Sequence, residues 1–317
     1  MTFVSEKLIH GKKRYYLEKS IRLPNGKAKK ISVYLKDYKK EKPDLKKYHE
    51  ILDGKIKTVF GDFAVNHYKQ GHIFTEKVFH RLEEIKIDYK KIIRKLTRKQ
   101  LQDMLDRFTI NFTYESNAIE GSSLTLKDVT FIIQEGKIVK GKDLREVYET
   151  INTRKAMEWI FNEKPKLNEA TIIKLHQILV ENTGISFGYK KLPNFLLGRN
   201  VKTTSPENVK EEMDMLLEEY NNCKNLHPLQ LAVDFHGKFE KIHPFEDGNG
   251  RTGRLLINII LMNYSYPPLI IRKIQKMKYF HALSAFDQGH SSNLYYFLIE
   301  KYKKTFEKFF EIYVKYL

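Results

Sequence analysis

Residues 243–254 read His243-Pro244-Phe245-Glu246-Asp247-Gly248-Asn249-Gly250-Arg251-Thr252-Gly253-Arg254. Before them, residues 229–242 carry apolar side chains at Leu229, Ala232, Val233, Phe239 and Ile242, a helical period. After them, residues 255–264 are apolar on nearly all sides, the pattern of a buried helix. A polar loop therefore lies between two core helices. The second helix begins with free N–H groups and the positive end of its dipole, and both favour an anion.

Each residue type in this loop has a task around a polyphosphate. Gly248 and Gly250 permit φ > 0 and let main-chain N–H groups approach phosphate oxygens closely. Arg251 and Arg254 lie three apart, so on a helix both guanidinium forks point the same way. Asp247 supplies a hard oxygen suited to Mg²⁺, which takes one or two carboxylates plus substrate phosphates. His243 stands at the end of the preceding helix, and the ordinary pKa range of a histidine suits a general base near neutral pH. A lone Gly-Asn-Gly is most often only a turn. Turn geometry does not account for the whole stretch between two apolar helices.

The same stretch resembles the signature of Fic-domain proteins: His, any, Phe, any, Asp or Glu, Gly, Asn, Gly, Arg, two further residues, Arg. The resemblance implies a loop that binds ATP with Mg²⁺ and an enzyme that moves AMP onto a hydroxyl of a target protein. It implies His243 as the base that deprotonates a target Ser, Thr or Tyr, and Asp247 as the Mg²⁺ ligand. Asn249 with the Gly248 and Gly250 amides would cradle the α-phosphate, and Arg251 and Arg254 would hold the β- and γ-phosphates.

A chain of 317 residues with 41% hydrophobic content can build one large domain plus a smaller one. Lys and Arg outnumber Asp and Glu by 57 to 39, a net of +18 that suits nucleic acid, acidic proteins or polyphosphates. Residues 1–50 hold 15 of the bases and 6 of the acids, a net of +9. Cys223 is the single cysteine, so no internal disulfide marks an oxidising compartment. No signal-peptide core opens the sequence, and residues 255–262, interrupted by Asn258, are too short for a membrane span. The expectation is a cytoplasmic protein without membrane contact.

In chain order, residues 14–35 read as a β-hairpin turning at Pro24-Asn25-Gly26, with Ile31, Val33 and Leu35 alternating on the return. Residues 37–47, charged and holding Pro43, read as a linker, and residues 60–96 as helices. The charge of the hairpin leaves a solvated face and nucleic-acid binding both open. Residues 98–118 form a helix with Leu101, Met104, Leu105, Phe108 and Phe112 on one stripe, closed by Gly121. A new helix follows, capped by Thr125, stapled by Leu124 and Val129, and stopped at Gly136. Residues 142–161 and 168–181 are further amphipathic helices, the second capped by Asn168. Ser205 reads as the cap of the next helix, with Pro206 at its first position. Residues 279–286 and 293–316, rich in Tyr and Phe, read as core helices.

Residues 116–121, Ser-Asn-Ala-Ile-Glu-Gly, resemble the inhibitory motif that one class of Fic proteins carries ahead of the core. There the Glu pairs with the second Arg of the loop, which implies that Ser116 and Glu120 regulate the site through Arg254. Residues 189–205 match the position of the Fic flap, a hairpin that clamps the target by strand addition, with residues 194–197 and 201–203 as its strands. Family members usually carry Arg where Lys190 follows Tyr189. His236, seven residues before His243 on the same helix face, reads as a hydrogen-bonded core histidine.

The expectation is a mainly α protein. Residues 96–317 would form a Fic domain with a β-hairpin flap and an inhibitory helix at about 98–121. Residues 1–95 would form a small basic α+β extension. The expected activity is protein adenylyltransfer, with ATP as substrate and Mg²⁺ as cofactor. The alternatives are the reverse reaction, another nucleotidyl or phosphoryl transfer, and a nucleic-acid-binding regulator that senses ATP. The expected partners are a hydroxyl-bearing target protein, nucleic acid at the basic N-terminal region, and a second copy of the chain.

Overall fold

The computed structural model describes residues 2–36, 38, 45–138, 140–194, 202–223 and 225–315. The chain divides into two compact units, residues 1–87 and 88–317.

The first unit begins with a three-stranded antiparallel sheet: β1 (Thr2–Ile9), β2 (Lys12–Arg22) and β3 (Ala28–Tyr34). The expected hairpin is β2–β3. It turns at Gly26, whose φ of 82° is easy only for glycine, and the Leu23 N–H donates to the Lys27 carbonyl at 2.9 Å. Strand β1 was not expected. His10 (φ 50°) and Gly11 (φ 73°) form a two-residue turn with both φ positive, the kind that matches strand twist and returns the chain at once. Helix α1 (Lys46–His67) packs Leu52 and Ile56 onto Leu17, Ile31, Val33 and Leu35. This helix starts inside the stretch expected as linker, of which residues 37 and 39–44 lie outside the described residues. Helix α2 (Glu76–Lys95) crosses from one unit into the next.

The second unit is helical: α3 (Arg98–Glu120), α4 (Leu126–Glu135), α5 (Leu144–Glu163), α6 (Glu169–Leu179), α7 (Val209–Asn222), α8 (Pro228–Ile242), α9 (Asn249–Asn263), α10 (Lys276–Asp287) and α11 (Ser292–Thr305). A π-helical turn at Phe306–Phe310 and a last short helix, α12 (Glu311–Lys315), follow. The molecule is mainly α, with no described helix long and apolar enough to cross a membrane. Helices α8 and α9 form the central pair; α3, α5 and α6 pack on α9, and α7, α10 and α11 on α8. Leu255, Leu256, Ile257, Ile260 and Leu261 of α9 are fully buried, each contributing about 1.5–3 kcal/mol over an exposed side chain. That packing holds the first turn of α9, the polar end of the helix, in a fixed place.

Local chemistry sets the helix ends. Thr97 and Gln100 make a capping box at the start of α3, and Gly121 (φ 112°) ends it in the left-handed region. Thr125 caps α4 as expected, with Asp128 closing the box. Ser205 differs from expectation. Its side chain makes no cap bond; a 3₁₀ turn at Pro206–Asn208 comes first, and Ser205 accepts from the Asn208 amide at 3.1 Å.

Candidate active site

The loop of residues 243–248 joins α8 to α9 and is folded by its own side chains. The Phe245 N–H donates to Asn249 Oδ1, and Asn249 Nδ2 donates back to the Phe245 carbonyl, both at 2.8 Å. Asn249 is thus buried and committed to shaping the loop. His243 sits at the C-cap of α8 with φ 52° and ψ 61°, a left-handed conformation uncommon outside glycine. That turn ends the helix and starts the loop. Gly248, at φ 79°, is the N-cap of α9 and offers no side-chain cap to the first N–H groups of that helix.

The two arginines are buried on α9 and each is met by a carboxylate from another helix. Arg254 is 2% exposed. Its Nη2 lies 2.7 Å from Glu120 Oε1 at the end of α3 and donates to the Ser116 carbonyl at 2.9 Å. Its Nε donates to Ser116 Oγ at 2.9 Å. Burial opposes the guanidinium charge, but Glu120, Tyr279 and Glu240 around it raise its pKa above the ordinary value. Gly250 makes this approach feasible: a Cβ there would fall 2.3 Å from Glu120 Oε1.

Arg251 belongs to a second ion-pair group. Its Nη1 lies 3.2 Å from Glu149 Oε1 of α5, and its Nη2 lies 3.6 Å from Asp247 Oδ2. Arg145, one turn before Glu149, bonds both Asp247 through Nη2 and Glu149 through Nε. Arg145, Asp247, Arg251 and Glu149 therefore alternate in sign around a closed ring. No helical pattern in the sequence singled out Arg145 and Glu149. Their i, i+4 spacing reads as an ordinary surface pair until α5 is placed against α9.

His176 was also missed. It lies on the buried stripe of α6 and is fully buried, its ring 3.8 Å from that of Phe245 and nearly parallel to it. Its Nδ1 accepts the Gly188 N–H at 3.1 Å, so its Nε2 carries the proton that goes to the Asp247 carbonyl at 3.0 Å. Burial pushes its pKa down to about 4, against the carbonyl bond and the nearby Asp247, which raise it. A neutral imidazole thus ties the loop to the segment that begins the flap position.

The base of that segment is fastened as well. Tyr189 bridges to Phe245, and the Lys190 N–H donates to the Pro244 carbonyl at 2.9 Å. The buried Lys190 ammonium donates to Asn194 Oδ1 at 2.8 Å and to Thr203 Oγ1 at 3.2 Å. Burial lowers its pKa to about 8. Of the expected flap strands, residues 195–197 and 201 lie outside the described residues. His236 is fully buried and hydrogen-bonded to the Tyr279 hydroxyl at 2.7 Å, the core role expected of it. Tyr279 is buried between His236 and Phe297, so the first aromatic of α10 belongs to the core.

The chemistry of the donor set suits a phosphate ester and a divalent ion. Asp247 offers a partly exposed hard oxygen next to the helix N-terminus. No cluster of three His, Cys, Asp or Glu occurs among the described residues. An ion at Asp247 would therefore take most of its ligands from phosphate and water, as Mg²⁺ does.

Residues 166–261 match the model of the Fic/DOC family. A protein adenylyltransferase Fic of Drosophila willistoni is 34% identical over 202 residues, covering 61% of this chain and 40% of that protein. The protein adenylyltransferase fic-1 of Caenorhabditis elegans is 29% identical over 197 residues, covering 60% and 39%. The chain thus spans about 40% of the length of these curated relatives. A Fic-domain signaling protein of Bacteroides thetaiotaomicron superposes with a TM-score of 0.66 at 26% identity, over 74% of this chain and 95% of its own.

Proposed function

We propose that this chain, which carries a Fic-family domain, moves AMP from Mg²⁺-bound ATP to a Ser, Thr or Tyr hydroxyl of a target protein, and that Glu120 holds the reaction back. One observation carries the reading: two buried guanidinium groups on α9 face carboxylates borrowed from α3 and α5, anions standing where phosphates would bind.

In this mechanism ATP lies along the N-terminus of α9. The free N–H groups of the first turn and the guanidinium groups of Arg251 and Arg254 hold its phosphates. His243 accepts the proton of the target hydroxyl as the oxygen bonds to the α-phosphorus. The bond from that phosphorus to the bridging oxygen breaks, and pyrophosphate leaves on the far side. Asp247 would hold a Mg²⁺ ion together with the substrate phosphates, and that ion would supply charge neutralisation for the leaving pyrophosphate. Asn249 and His176 keep the loop amides in place, so no rearrangement is needed at the moment of transfer. Tyr189 and Lys190 fasten the start of the segment against which a target strand would be held.

Glu120 opposes this by occupying Arg254. With its carboxylate in place the γ-phosphate finds its donors taken and meets a like charge, so bound ATP rests out of line for attack. The test is mass spectrometry of purified wild type and Glu120→Gly after incubation with ATP and Mg²⁺. An AMP adduct on a hydroxyl side chain, stronger in the variant, is expected. ATP binding with no adduct in either protein would make the chain a nucleotide sensor instead. Loss of AMP from a pre-modified protein would assign the reverse reaction.

A further inference from the structure

The sheet of the N-terminal unit has one face with no part in the described reaction. Leu17, Ile31 and Val33 point into the core with α1. By the strand register, Phe3, Lys7, Arg14, Tyr16, Lys30 and Tyr34 share the opposite face. Phe3 and Tyr34 are each 47% exposed there. Each of the three rings carries a cation: Lys7 lies 4.6 Å from the Tyr16 centroid, Arg14 5.9 Å from Tyr34, and Lys30 5.5 Å from Phe3. So one cation comes from each strand, braced on an aromatic ring.

Among the described residues, this face holds one acid, Glu18, in the middle of the central strand. It is fully buried beneath Lys7, at 2.8 Å, and Lys30. Burial disfavours its charge, yet the lysines and Ser5 hold its pKa down to about 2, so it stays ionised and keeps both lysines in place. The outward charge is therefore positive throughout. A solvated face needs no aromatic braces and no buried carboxylate to arrange its lysines.

We propose that this face docks duplex DNA, with Lys7, Arg14 and Lys30 meeting its phosphates. Three features of the face favour that partner. A polyanion matches the charge, with residues 1–50 at a net of +9. Each ring, though partly exposed, has a cation over it, which speaks against base stacking as the main contact with a single strand. Paired strands about 4.8 Å apart, such as β1 and β2, form the two-stranded ribbon that the roughly 12 Å major groove of B-form DNA admits. The narrow major groove of an RNA duplex would not admit them.

The experiment is fluorescence anisotropy of the full chain with a labelled duplex of about 20 base pairs across roughly 50 to 200 mM salt, beside a single strand of equal length. Three phosphate contacts predict a log–log salt slope of about −3. Arg14→Gln should lower that slope by about one, and Arg14→Glu should weaken binding at least about tenfold. The control is Lys99→Glu with Lys127→Glu, exposed lysines of the second unit, which should leave affinity nearly unchanged. A thermal melt establishes that each variant is folded, and Arg14→Gln carries the test if the Glu variant is not. No binding at low salt overturns the proposal, as does equal weakening by the control pair. Tighter binding of the single strand would transfer the face to base stacking and overturn it too.

Discussion

Replacing Glu120 by Gly removes one carboxylate at the end of α3, next to a glycine already in the left-handed region. The pair it breaks is a charge-assisted hydrogen bond of 2.7 Å between a guanidinium that is 2% exposed and a carboxylate side chain that is 38% exposed. Such bonds contribute about 1.5–3 kcal/mol, and solvent at the carboxylate places this one toward the lower end. An incoming γ-phosphate must displace it, so its removal lowers the barrier to productive binding by a similar amount. At about 1.4 kcal/mol per factor of ten, AMP transfer should rise roughly tenfold to a hundredfold. ATP affinity should change less, because misplaced ATP already binds. Arg254 keeps its two bonds to Ser116, so the melting temperature should fall by only a few degrees. Labelled-AMP incorporation into the protein itself, with calorimetry for ATP and a thermal melt, measures all three. Glu120→Gly combined with Arg254→Ala should be inactive again. A folded, ATP-binding Glu120→Gly that stays as quiet as wild type would refute the inhibitory role.

Other outcomes follow from the same geometry. His243→Ala should abolish transfer while leaving ATP affinity within a few-fold, since phosphate binding rests on amides and arginines; titration calorimetry beside the transfer assay checks both halves. Gly250→Ala places a Cβ 2.3 Å from Glu120 Oε1, so it should lower the melting temperature more in wild type than in Glu120→Gly, and additive losses would contradict the contact. His176→Phe keeps the stack on Phe245 but leaves the Gly188 N–H and the Asp247 carbonyl unpaired, so kcat and the melting temperature should both fall; an unchanged kcat would leave His176 no part in holding the loop. Glu18 has its folded-state pKa depressed to about 2 from 4.5, so its stabilisation is present above pH 4.5 and is lost as pH falls toward 2. Acid unfolding followed by circular dichroism should show this loss in wild type and not in Glu18→Gln.

The loop and the elements around it were legible because their signals are local. Glycine at φ 79° before α9, the capping box at Thr125, the turn at Gly26 and the apolar faces of α8 and α9 each depend on neighbours within a few residues. Strand β1 is set by a turn as local as any of these, His10-Gly11, in which a left-handed His10 stands where Asn, Asp or Gly is the usual hairpin residue. Ser205 shows the opposite case, where a good cap residue in sequence was pre-empted by a 3₁₀ turn.

Sequence alone thus determined the residue types of the loop at 243–254, the helices that bracket it and, through resemblance, the pairing of Glu120 with Arg254. Their chemistry is written in one short run and one helix end. Tertiary structure alone decided which distant groups complete the site. Arg145 and Glu149 reach the loop because α5 packs on α9, and His176 reaches it because α6 does. Nothing in the spacing of those residues distinguishes them from surface ions or a core histidine. Ion pairs and ring stacks between helices depend on crossing geometry, which is set by the sum of many apolar contacts and by no single stretch of chain.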